Sequence, residues 1–287
     1  MTVTRITNGH LSAEVSTLGA ELQAITTRDG RTWLWDGDEA WWTGRAPILF
    51  PIVGKAPDDW VSIEGRTYAM NQHGFARKSA FTLDVAGDAL CRYELVASDV
   101  TRAVYPFDFR LSLTYALSGR ALKVTAAVEN RDARPMPFGF GFHPAFLWPL
   151  PGAEGKPHTV TLDNGAAPAM LRIRDGLIEP TPLPSPFKAG RLTLDASEFQ
   201  ADAMIFPEGA GAGLTYAAEG GPELHFAFDN LPNLALWQKP GAPYICIEPW
   251  HGMAARHGDG DALEARPSTT LLPPGETATF GFTVTFP

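Results

Sequence analysis

The chain has 287 residues, 45% of them apolar, which is enough to bury a sizeable core. Its formal net charge of −9 argues against nucleic acid or an anionic membrane surface as a partner and leaves a small neutral ligand open. Two cysteines, Cys91 and Cys246, are too few for a disulfide scaffold, while 25 prolines and 28 glycines announce many turns.

In chain order, residues 1–7 carry no apolar h-region, and no apolar run reaches membrane-spanning length, so a soluble, cytoplasmic protein is expected. Leu11, Ala13 and Val15 alternate with polar neighbours up to Gly19. Trp33, Trp35, Trp41 and Trp42 then crowd one segment, either as a stacking wall for a sugar or as a core plug. Arg45 precedes the apolar run Ala46–Val53, where it is free to fork onto hydroxyls or a carboxylate, or to sit as a plain surface arginine. Gln72-His73-Gly74-Phe75-Ala76-Arg77 places a histidine before a glycine, which suits a loop against a ligand.

Cleaner strands follow. Cys91, Tyr93 and Leu95 alternate, as do Leu111, Leu113, Tyr115 and Leu117. Ser118-Gly119-Arg120 turns the chain, and Leu122, Val124, Ala126 and Val128 alternate on the return, which predicts a hairpin with one buried face. Residues 149–190 are rich in Pro and Gly and are expected to be loops. Asp202 stands before the apolar Ala203–Phe206, and His225 lies opposite Leu224, Phe226 and Phe228 on a solvated face. Phe280, Phe282, Val284 and Phe286 close the chain. The βαβ rhythm is missing, so one antiparallel all-β domain over 1–287, a sandwich or barrel with more than half its ordered residues in strands, is expected.

Two stretches carry the chemistry. Phe138-Gly-Phe-Gly-Phe-His143-Pro-Ala-Phe146 sets one imidazole among four phenylalanines, with Pro144 favouring an extended backbone. Tyr244-Ile-Cys-Ile-Glu248-Pro-Trp250 ends an apolar run on a carboxylate, which rarely goes fully buried without a partner. A core histidine with satisfied nitrogens remains the plain alternative for His143. As an acid and a base facing one substrate, the two would need no metal or redox centre. A phosphate loop, a G-x-S-x-G elbow and zinc-spaced cysteines are all missing from the sequence, and the loop 251–261 fits neither the EF-hand nor the H-E-x-x-H pattern. Glu248 with Asp202 would supply a glycosidase pair, at the expense of leaving His143 without a task.

Taken in order, Gly44-Arg45 through Val53-Gly54, Gln72–Arg77, Gly141–Phe146 and Ile247–Trp250 resemble the aldose 1-epimerase (galactose mutarotase) family from about Leu18 to Pro287. Leu147-Trp148 and Pro249-Trp250, where galactose mutarotases often have Asn-Leu and Pro-Gln, look more like a bacterial branch of epimerase-like proteins. The resemblance implies a large antiparallel β-sandwich that interconverts the α and β anomers of free aldoses without a cofactor. It implies His143 as general acid, Glu248 as general base, His73 and Arg45 as substrate contacts, and Asp202 as a holder of sugar hydroxyls. A small neutral sugar is the expected partner. A hexose 6-phosphate held by Arg45, Lys55 or Arg77, and a non-catalytic sugar-binding protein on the same fold, are the alternatives.

Overall fold

The computed structural model describes residues 2–287. It is a large antiparallel β-sandwich, with 47% of the chain in strands and 7% in helix. That is slightly less strand than expected, because loops fill much of 163–190 and 252–269. Among the described residues, no helix is long and apolar enough to cross a membrane.

One sheet has nine strands, and beside its middle strand stands the hairpin Phe109–Ser118 with Ala121–Asn130, paired from Ser118↔Ala121 outward as the alternation predicts. Inward residues of both strands are buried and outward ones half-buried. Thr277–Thr285 lies beside Ala121–Asn130, and Glu223–Asp229 follows it. His158–Leu162 also joins this sheet, although it falls inside the stretch expected to be loops. His225 is exposed on the outer face, as expected, and meets Thr215 and Glu223 there.

A six-stranded sheet packs against it, built around Tyr244–His251 with Asn233–Trp237 on one side. Its other side takes Phe140–Phe142 and Ala145–Leu147 in succession. Aromatic contacts join the two sheets: Phe140 stacks on Phe280 at 5.0 Å, Phe142 meets Phe282 edge-on at 4.9 Å, and Phe146 meets Phe226 at 5.1 Å. Such pairs contribute about 0.5–1.5 kcal/mol each beyond the area they bury.

Alternation along Tyr244–His251 sorts its side chains between two environments. Ile245 and Ile247 enter the core between the sheets. Tyr244 and Cys246 join a second apolar cluster on the outer face with Trp41, Trp42 and Trp237, and Glu248 shares that face by strand periodicity. Both faces are covered, so the strand reads as a continuous apolar run.

Candidate active site

The site begins where one strand lets go of another. Gly141 pairs with Trp250 and Ala145 pairs with Cys246, with no ladder partners between them. That register, carried through the gap, sets His143 directly opposite Glu248 on the same face. His143 Nε2 lies 3.2 Å from Glu248 Oε2, with the residues only 8% and 2% exposed. Neither His143 Nδ1 nor Glu248 Oε2 has a hydrogen-bond partner among the described residues. Gly141 permits the close approach, since a Cβ there would lie 2.5 Å from Trp250 Cδ1.

Burial acts on both groups in the direction of neutrality. The pKa of His143 falls from 6.5 to about 3, chiefly through burial, with the nearby Arg77 contributing to the fall. Burial pushes Glu248 well above the usual carboxylate range, with Asp202 adding to the rise. Burial therefore favours a neutral imidazole beside a carboxyl that keeps its proton. Moving that proton from Glu248 to His143 yields a carboxylate and an imidazolium without any exchange with solvent.

The pair forms the floor of a cavity of about 810 Å³. His73 enters from a second side, its ring edge-on to His143 at 5.6 Å. Its Nδ1 accepts from the Gly54 backbone N–H at 3.1 Å, so the neutral ring carries its proton on Nε2. Burial holds its pKa well below 6.5, and the facing His143 adds to this. His73 Nε2 lies 3.3 Å from the Gln72 side-chain amide, so His73 and Gln72 face the cavity together. The His73 φ of 65° is left-handed, as is the 64° of Asp202, a conformation that costs a non-glycine residue about 1–3 kcal/mol. Asp202 is exposed at the cavity wall, where its backbone oxygen accepts from Arg172 Nη1 at 2.6 Å.

Four of the five residues singled out in the sequence (His73, His143, Asp202 and Glu248) line this one cavity, and Arg45 does not. Arg45 Nη1 instead donates to the Gln23 carbonyl at 2.8 Å, and its backbone N–H reaches Glu21 Oε1 at 2.8 Å. Arg77 is the arginine on the cavity wall, with its Nη2 on the Gln72 carbonyl at 2.8 Å and its Nε buried without a partner among the described residues. Lys55 and Lys239 also line the wall.

The tryptophan segment divides between the two roles considered for it. Trp33 and Trp35 are buried, while Trp41 and Trp42 line the cavity with Trp237 and Trp250. Trp42 sits 5.0 Å from the His143 ring. Trp237 and Lys239 were not singled out for the site, because nothing in a strand end followed by a lysine distinguishes a cavity wall from a surface.

Residues 2–166 match the aldose 1-epimerase family model. Protein LacX of Lactococcus lactis subsp. lactis is 30% identical over 97% of each chain. Among solved structures, a galactose mutarotase related enzyme from Lactobacillus acidophilus superposes with a TM-score of 0.94 at 27% identity, covering 100% of this chain and 97% of that one. A galactose mutarotase-like protein from Lactobacillus casei gives 0.93 at 26% identity, with complete coverage of both chains.

Proposed function

The chain belongs to the aldose 1-epimerase family, and we propose from that premise that it interconverts the anomers of a free aldose with Glu248 as base and His143 as acid. The observation that carries the reading is the pair itself, two buried titratable atoms 3.2 Å apart on a cavity floor. Ring opening removes the proton from the anomeric hydroxyl and delivers one to the ring oxygen, atoms bonded to the same carbon. Glu248 as carboxylate takes the first proton, and His143 as imidazolium gives the second. Rotation about C1–C2 exposes the other carbonyl face, and the same two groups with roles exchanged close the ring. His73 Nε2–H and Asp202 would hold ring hydroxyls, and Trp42 and Trp237 would present flat apolar faces to the sugar.

Polarimetry of freshly dissolved α-glucose and α-galactose tests the proposal. Glu248→Gln and His143→Asn should each lower kcat on the order of 10²–10⁴-fold and KM far less, because each proton transfer matters in the transition state. Well-folded variants that mutarotate near the wild-type rate would mean that another pair does the chemistry.

A second reading rests on Arg77, Lys55 and Lys239, three cations on the cavity wall that suit a hexose 6-phosphate. Lys239 Nζ gives one hydrogen bond to the Trp41 carbonyl at 2.7 Å and Arg77 Nη2 one to the Gln72 carbonyl at 2.8 Å, and both keep further donors for a dianion. Calorimetry separates the two readings: glucose 6-phosphate binding far more tightly than glucose, with the preference lost in Arg77→Ala, would favour the phosphorylated sugar.

A further inference from the structure

Cys246 has no part in ring opening, yet it lies against the acid–base pair. Cys246 and Glu248 are two residues apart on one strand and so share a face, and His143 comes to that face from the neighbouring strand. One ligand atom from each residue lies within 4.8 Å of the other two, and all three residues are buried. Of the atoms that would bind, Glu248 Oε2 lacks a hydrogen-bond partner among the described residues. The 3.2 Å between His143 Nε2 and Glu248 Oε2 is close to the separation of about 3.3 Å that two N/O ligands adopt around tetrahedral zinc.

We propose that His143, Cys246 and Glu248 form a three-ligand site for a borderline-soft divalent cation such as Zn²⁺, whose occupation blocks the acid–base pair. Imidazole, thiolate and carboxylate are a donor set that suits zinc, whereas Mg²⁺ and Ca²⁺ take oxygen ligands and have no use for sulfur. A water from the cavity completes four-coordination. Binding displaces the thiol proton and the carboxyl proton to solvent, and no electron moves. Binding of the metal stands independently of the catalytic reading; the loss of turnover rests on it. The one-residue spacing of Cys246 and Glu248, with His143 about a hundred positions earlier, matches no zinc motif, which is why only the fold brings the donors together.

Co²⁺ titration of the full chain reads the site directly, since a thiolate ligand gives near-ultraviolet charge-transfer absorption and four-coordination gives intense visible bands. Both should saturate at one equivalent, be displaced by Zn²⁺, and persist in Cys91→Ala. In Cys246→Ala, a volume-reducing change that leaves no polar orphan, the charge-transfer band should vanish. Loss of an outer partner alone costs roughly 10–100-fold in metal affinity, so loss of this ligand should weaken zinc binding by at least about 100-fold. Zinc should inhibit wild-type mutarotation, and Cys246→Ala should keep turnover while needing correspondingly more zinc. A wild-type protein without the charge-transfer band, or one whose band survives in Cys246→Ala, overturns the site without needing any variant to be active. Cobalt binding as expected in a chain without mutarotase activity would uphold the metal site and sink the catalytic proposal.

Discussion

His143 and Glu248 leave opposite marks on stability at mildly acidic pH. Between about pH 4.5 and 6.5 the unfolded chain carries a proton on His143 and none on Glu248, whereas burial in the folded chain leaves His143 neutral and shifts Glu248 toward keeping its proton. The two shifts oppose one another there: as pH falls, His143 lowers stability and Glu248 raises it. Below it the unfolded chain gains a second proton and stability falls; above it the folded chain alone holds one, and stability falls as Glu248 ionises. His73 adds its own dependence: neutral when folded, it costs stability as pH drops below 6.5. Glu248→Gln removes the compensating proton, so its unfolding free energy should fall more steeply than wild type from pH 6.5 to 4.5. The added slope is roughly 1.4 kcal/mol per pH unit, one proton's worth. His143→Asn should show the opposite difference, gaining on wild type as pH falls toward 4.5 wherever Glu248 is the more protonated in the folded state. Urea unfolding at several pH values measures both, and parallel curves for all three proteins would show that the pair is not held neutral by burial.

The elements around the pair depend on two glycines in different ways. Gly74 has φ +68°, and a Cβ there would lie 2.2 Å from the Phe50 backbone oxygen, which has no room to give. Gly74→Ala should therefore cost about 3 kcal/mol or more, from strain plus overpacking, and lower the melting temperature. At Gly141 the obstructing atom belongs to the Trp250 side chain, which lines the cavity. Gly141→Ala should displace that indole and hurt mutarotation more than it hurts the melt; the reverse order in calorimetry and polarimetry would refute this. These glycines, the hairpin at 109–130 and the alternation at Phe280–Phe286 were all legible, because each is a local pattern of period two or a residue with unusual backbone freedom. The opposition of His143 and Glu248 was not derivable from local pattern, since it depends on the register of strands about a hundred residues apart; their like settings, each before a proline beside an apolar run, and the family resemblance paired them only as an expectation. Arg45 and Arg77 illustrate the same limit. Each is a cation beside an apolar segment, and whether its guanidinium finds a backbone carbonyl or a cavity is decided by neighbours brought in by the fold.

At the scale of the whole molecule, the last strand is a central one. Thr277–Thr285 lies between Ala121–Asn130 and Glu223–Asp229, so removing it opens the nine-stranded sheet in its middle and bares two hydrogen-bonding edges. Its Phe280 and Phe282 also touch Phe140 and Phe142, the residues that lead directly into His143. Losing a buried phenylalanine costs about 3–5 kcal/mol, and a domain's total stability is about 5–15 kcal/mol, so losing these two alone removes about half of it or more. A chain ending at residue 276 should therefore show no cooperative melt and no mutarotation. Removing residues 1–7 should be much milder, because Val3–Thr7 is the edge of a separate three-stranded sheet. Because the missing strand's slot is defined on both sides, a synthetic peptide of residues 277–287 added to the truncated chain should restore part of the activity at a peptide concentration that titrates. A truncated protein that melts cooperatively on its own would mean that the six-stranded sheet holds the site without the aromatic contacts beneath it.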